Sequence, residues 1–153
     1  SAASDVYKRQ CILNSVLNIK YSAAQVADIK IESNIFVPKY MNIDYGDMGV
    51  LFGNLLDNAI EANQGVDRKK RWINVSVKYE EHILIINIKN SKIRGSRRKK
   101  KGYLNHGIGL NSVKQIVEKF NGIVEVQDFG EMYEVSAILY GICDDKDLGK
   151  SVL

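Results

Sequence analysis

Cysteine is nearly absent. Cys11 and Cys143 are the only two in 153 residues. They lie far apart without C-x-x-C spacing, which excludes a disulfide framework and a ribbon-type zinc site and fits free thiols in a reducing compartment. Proline is scarcer still, with Pro38 alone, and there is no low-complexity tract, so a linker or disordered chain is excluded. No apolar run approaches the roughly 20 residues that cross a bilayer, and no secretory signal is visible. What remains is 45% apolar and 26% charged, enough for one domain with a sizeable core.

The formal charge is +4, from 22 basic and 18 acidic residues. Eleven of the basic residues fall in two runs, Arg68 to Arg71 and Lys92 to Lys101, neither of which holds an acidic residue. The remainder has eleven basic against eighteen acidic residues, a balance of −7. The basicity therefore belongs to two local segments and does not describe a basic protein.

Residues 1–10 lack periodicity and are read as an extraneous leader outside the fold. Near-helical recurrence of Ile12, Leu13, Val16, Leu17, Ile19, Ala23 and Val26 predicts a helix over 11–27. Residues 29–37 read as a strand ending at Pro38. The clearest helix is predicted over 44–64, with Asp44 or Asp47 as cap, Met48, Leu51, Leu55, Leu56, Ala59 and Ile60 as apolar stripe, and Gly65 as stop. Alternation then predicts strands over 73–79 and 83–89, turned at Glu80-Glu81-His82. Residues 91–105 read as a long polar connection, expected to be disordered without a ligand. A helix over 110–120 follows, ended by Asn121-Gly122, with Gly122 expected to take the left-handed cap conformation. A hairpin over 123–129 and 133–140, turned at Gly130-Glu131, completes the order, and 142–153 reads as a polar tail. This order predicts an α+β fold, with helices on one face of a mixed, mainly antiparallel sheet.

Three features carry chemistry. Asn54, Asn58 and Glu61 fall at i, i+4 and i+7 of the predicted 44–64 helix, on one stripe. Amide oxygens one turn apart suit Mg²⁺, which needs few protein ligands when it shares phosphates, although spacing alone favours a solvated helix face. His106-Gly107-Ile108-Gly109-Leu110 directly precedes a predicted helix. Glycines there would let backbone N–H groups approach phosphates, with the basic segment upstream as a source of counter-charge. A plain loop-to-helix turn explains the glycines equally well, and a solvated charge run explains most single lysines. Asn90-Ser91 ends a predicted strand, where an amide carbonyl can accept from the exocyclic amine of a purine, or simply start a turn.

Together these motifs resemble the GHKL ATPase superfamily. Asn54-Leu-Leu-Asp-Asn58-Ala-Ile-Glu61-Ala is similar to its N box, and His106-Gly-Ile-Gly-Leu110 to its glycine-rich G2 box at the end of the ATP lid. The likeness runs in order from about residue 29 to 140. Within the superfamily the sequence most resembles catalytic domains of peptide- or citrate-sensing histidine kinases, the quorum-sensor group. Glu61 stands where many kinases have Lys, Asn90-Ser91 stands where most members have the Asp of a D-x-G-x-G box, and the segment from Leu13 to Ser22 looks like the end of that group's dimerisation helix.

The resemblance implies a Bergerat-type two-layer sandwich spanning 28–141, preceded by a dimerisation or linker helix over 11–27. It implies Mg²⁺ and ATP as ligands. Asn58 would be the main metal ligand, with Asn54 holding metal and phosphates and acting as the catalytic position. Asn90 would read adenine, and Lys101, His106, Gly107, Ile108, Gly109 and Leu110 would line the phosphates. The γ-phosphoryl group would go to a histidine. His82 and His106 are the only two here, and neither lies in 11–27, so the acceptor is expected upstream, on an absent dimerisation helix. This fragment alone would then bind ATP without autophosphorylating. The implied setting is the cytoplasmic part of a membrane sensor that serves a response regulator, with no nucleic acid partner. Two other readings stay open: an ATP-binding regulatory module without transferase activity, and an interaction domain working through the basic loop.

Overall fold

A computed structural model describes residues 2–95 and 99–142, giving only the backbone course for 2, 3, 6 and 99–108. The elements are α1 (Ala2–Val26), β1 (Lys30–Ile35), α2 (Tyr45–Ala62), β2 (Trp72–Glu80), β3 (Ile83–Ser91), α3 (Lys99–Glu118), β4 (Ile123–Asp128) and β5 (Met132–Tyr140), with a 3₁₀ turn at Arg68–Lys70. The strands form one sheet in the order β1-β2-β3-β5-β4. β1 runs parallel to β2, and the other three pairings are antiparallel. The expected α+β sandwich and mixed, mainly antiparallel sheet are borne out.

Period-two side-chain alternation sets the inner face. Ile73, Val75 and Val77 of β2, Leu84, Ile86 and Ile88 of β3, and Val135, Ala137 and Leu139 of β5 are all buried, against Leu51, Phe52, Leu55 and Leu56 of α2 and Val113, Ile116 and Val117 of α3. Full burial of such side chains stabilises by about 1.5–3 kcal/mol each. The opposite face carries Asn74 and Lys78, both exposed. Successive left-handed residues, Glu81 at φ 49° and His82 at φ 69°, turn β2 into β3, the twist a tight hairpin needs. α2 starts where Asp44 accepts from the Asp47 N–H at 2.7 Å. Asp47 instead binds Lys119 at 2.8 Å, joining α3 to α2.

Three expectations are corrected. α1 does not begin at residue 11 but runs from Ala2. Residues 2–10 hold neither Gly nor Pro, so a helix nucleated by the packed Leu13 and Leu17 propagates backward without an apolar stripe. Arg9 donates to the Ile43 carbonyl at 3.2 Å and Asp5 accepts from the Tyr45 hydroxyl at 3.0 Å, so this segment does not stand apart from the fold. Secondly, the connection after β3 ends at Lys99, where α3 begins, and not at residue 105. Lysine and leucine favour helix, and each glycine costs only about 1 kcal/mol against alanine, too little to stop a helix extended from the packed Val113–Val117 turn. Thirdly, the left-handed residue after α3 is Asn121, at φ 53°, and not Gly122. Gly122 serves close approach, since a Cβ there would lie 1.9 Å from the Ile138 carbonyl oxygen. Ile142, expected in the tail, is fully buried, and 143–153 lie outside the described residues.

Candidate nucleotide-binding site

α2 presents its polar stripe as a gradient. Glu61 is exposed, Asn54 half-buried and Asn58 only 7% exposed. The Asn58 side chain makes no hydrogen bond among the described residues, and its amide atoms are not among the fully buried, unpartnered ones, so its polar end still meets solvent and is open to a ligand. Asn54 Nδ2 lies 3.4 Å from the Gly109 carbonyl, a long donation, and a Cβ on Gly109 would sit 3.9 Å from the Asn54 Cβ. Asn54 of the amide stripe and Gly109 of the distant glycine pair therefore lie side by side.

The glycines are nonetheless not presented as a loop. Lys101, His106, Gly107, Ile108, Gly109 and Leu110 all lie within α3, and the side chains of 101–108 fall outside the described residues. Inside a helix a backbone N–H is spent on the carbonyl four residues earlier, so Gly107 and Gly109 can wrap an anion only where this turn opens. Leu110 is half-buried and packs against the core.

Asn90 lies at the end of β3 with no exposed surface. Its Nδ2 donates to the Ser91 carbonyl at 3.1 Å, while its Oδ1 is buried without a partner. Behind it is a buried relay that sequence reasoning missed. The Ser91 hydroxyl donates to Asn63 Oδ1 and accepts from the Trp72 N–H at 3.0 Å. Asn63 Nδ2 donates to the Ala59 carbonyl at 3.0 Å and the Trp72 carbonyl at 3.3 Å. Asn63 caps the C-terminus of α2, so the relay ties the Asn54/Asn58 helix to the strand that carries Asn90. No short-range pattern could have found it, because Asn63 and Ser91 are 28 residues apart. Next to Asn90 on the inner face stands Tyr133, and beyond it Asp128. Burial pushes the Tyr133 phenol up, helped by the Asp128 charge.

Much of the basic charge is committed. Arg68 pairs with Asp28 at 2.7 Å, and Arg71 donates to the carbonyls of Val66 and Ala27, both at 2.8 Å. Lys92, read from sequence as part of a solvated run, is buried. Its Nζ lies 3.0 and 3.2 Å from the Asp128 carboxylate oxygens and 2.9 Å from the Gly130 carbonyl. Residues 96–98 of that run lie outside the described residues.

The donor set suits a shared metal. Among the described residues no three His, Cys, Asp or Glu side chains cluster as a metal cage, so an ion near Asn54 and Asn58 would need further oxygens from a phosphate, the habit of Mg²⁺. Asn58, with no protein partner among the described residues and its amide open to solvent, fits that role.

The sequence matches the family described as the GHKL domain over residues 43–139. A curated relative, described as "Probable C4-dicarboxylate sensor kinase" of Bacillus subtilis (strain 168), is 32% identical over 95 residues, covering 56% of this chain and 18% of the relative. The chain thus spans less than a fifth of that protein. Among solved structures, the catalytic domain of histidine kinase ThkA superposes with a TM-score of 0.65 at 14% identity, over 88% of this chain and 94% of the other. Full-length ShkA in complex with AMPPNP gives 0.64 at 14% identity, over 86% and 30%. At such identities these two likenesses are of fold.

Proposed function

The chain belongs to the GHKL domain family, and from that premise we propose that it is the Mg·ATP-binding catalytic domain of a sensor histidine kinase, donating the γ-phosphoryl group to a histidine outside these residues. The observation that carries this reading is the approach of Asn54 to Gly109, one helical turn from an Asn58 amide with no hydrogen-bond partner among the described residues and its polar end open to solvent. In it, Asn58 and Asn54 hold Mg²⁺ and position the phosphates, and Asn90 accepts from the adenine amine. Gly107, Ile108, Gly109 and Leu110, with His106 and Lys101, line the triphosphate once their helical turn opens. Bound Mg²⁺ would neutralise charge on the phosphoryl group as it transfers. Asn54 is an amide and no base, so it cannot take a proton from water. Hydrolysis should accordingly be slow.

α1 carries no histidine. In this reading it is the end of a dimerisation helix or a linker, residues 28–141 are the catalytic domain, and the phosphoacceptor helix and response regulator are partners of the whole protein. The peptide-sensing group and a place on the cytoplasmic side of a membrane sensor are parts of the same proposal. Among the described residues no helix is long and apolar enough to cross a membrane.

The test is thermal stability against Mg·ATP. A ligand that binds only the folded state at a hundredfold excess over Kd stabilises by about 2.7 kcal/mol. Asn58→Ala should keep the unliganded melting temperature close to native and abolish the shift. A wild-type protein that does not respond to ATP, or an Asn58→Ala variant with native nucleotide affinity, refutes the assignment.

A further inference from the structure

A sheet with one face on the core and the other in water alternates apolar and polar side chains. Two strands break that rule at one end of the sheet. β3 opens with Ile83-Leu84-Ile85-Ile86 and β5 closes with Ala137-Ile138-Leu139-Tyr140, runs that suit strands covered on both faces. One alternate set fills the core. The other points outward: Ile83, Ile85 and Ile138 are only half-buried, and Tyr140 is exposed. Register gathers these into two rows. Lys78, Ile85, Ile138 and Ile123 stand side by side across β2, β3, β5 and β4, and Glu80, Ile83 and Tyr140 make the neighbouring row. Ile123 is 48% exposed. On the other side of Ile85 and Ile138 the next row is polar, with Asn87 opposite Ser136. The apolar side chains thus form one contiguous patch, at the end of β3 remote from Asn90. Exposed apolar surface of this kind marks an interaction site when it is contiguous, and not when it is scattered.

We propose that a second copy of the chain covers this patch, face to face, around a two-fold axis that crosses the strands between the two rows. The charges at its rim single out that occupant. Lys78 and Glu80 are exposed, two residues apart on β2, and neither has an ion-pair partner among the described residues. A two-fold interface sets a patch against itself reversed. With the axis across the strands, Lys78 meets Glu80 of the second copy, twice over. Ile85 then meets Ile83 of that copy, and Ile138 meets its Tyr140. An axis along the strands would instead set Lys78 against Ile123 and bury an ammonium on apolar surface, which is costly. Sheets packed face to face lie about 10 Å apart, a gap that one interdigitated layer of such side chains fills. Asn90 and the α2 amides belong to the other face, so pairing leaves both nucleotide sites open and does not depend on what they bind.

Sedimentation equilibrium of the full chain over a concentration series reads the dimer directly. Wild type should dimerise, and Ile85→Lys, which enters the interface twice, should raise Kd at least about thirtyfold. Lys78→Glu and Glu80→Lys should each raise it about tenfold or more, since both rim pairs become like charges. An equimolar mixture of those two variants should associate within about threefold of wild type, because each mixed pair regains opposite charges at both positions. Melting temperatures measured where the chain is monomeric should stay native in all three. Should Ile85→Lys not fold, the charge variants and their mixture decide alone. A wild type still monomeric at about 1 mM leaves the patch to a different protein and overturns the proposal. A dimer indifferent to the charge reversals, or a mixture that associates no better than its parents, overturns it as well.

Discussion

Replacing Lys92 by Met keeps most of the aliphatic stem and removes the ammonium. In the native protein that ammonium has three acceptors within 3.2 Å, and the lysine side chain is 8% exposed. Removing one partner of a fully buried pair costs about 3–5 kcal/mol, since the other charge is stranded. Asp128 is not fully stranded. Its side chain is 29% exposed and it keeps the Gly130 N–H at 2.9 Å, so water and that bond carry part of its charge. The expected loss is therefore about 2 kcal/mol, or roughly 4–8 °C in melting temperature for a chain of this size. Urea denaturation followed by circular dichroism measures it, with the exposed Lys70→Met as a control that should stay within about 0.5 kcal/mol. Adding Asp128→Asn to Lys92→Met should recover about 1 kcal/mol, because a neutral amide leaves no buried charge to satisfy. A loss in Lys92→Met no larger than in the control, or no recovery in the double variant, would refute the argument that this pair anchors the chain where it leaves β3.

Gly122→Ala should cost about 3 kcal/mol, the top of the usual range for overpacking, because its Cβ would meet backbone at Ile138 and the Val117 side chain at 2.7 Å. Denaturation with urea checks this, and a near-native midpoint would show that the turn can move. At alkaline pH the raised Tyr133 phenol stays neutral in the fold after its unfolded counterpart ionises at about 10.0. Its contribution to stability is thus intact below that value and is lost as pH rises through the folded value. Tyr133→Phe should flatten the alkaline part of a stability-against-pH curve, and an unchanged slope would exclude this phenol as a cause.

The layers and the sheet were legible because their signals are local. Alternation in 73–79 and 83–89 and the stripe of 44–64 each report one face of one element, and Asp44 caps where it was expected to. The misread region, 91–105, shows why composition misleads: lysines, glycines and asparagine signal a loop, yet from Lys99 the chain is helical because a packed segment downstream extends it. Asn54 and Asn58 were singled out by spacing, which by itself favoured a solvated face, and Asn90 by its strand end; the motif resemblance gave them their proposed roles. Lys92 was misjudged because its partner Asp128 is 36 residues away, and a charge in a basic run looks the same whether it is solvated or buried. Asn63 went unnoticed for a similar reason, since a polar residue at a helix end is common and only the fold reveals what it holds.

The sheet is bounded by β1 and β4, each only six residues long. β1 bears exposed Lys30 and Glu32, and β4 exposed Glu125 and Gln127. A strand from a neighbouring molecule that tried to zip onto either border would gain few hydrogen bonds while stripping water from those groups. Short borders that carry such charges discourage fibril-like stacking at high concentration, more on the β1 side than at β4, which also exposes Ile123 and Val126, and a substitution such as Glu32→Val would remove part of that safeguard without touching the proposed nucleotide site.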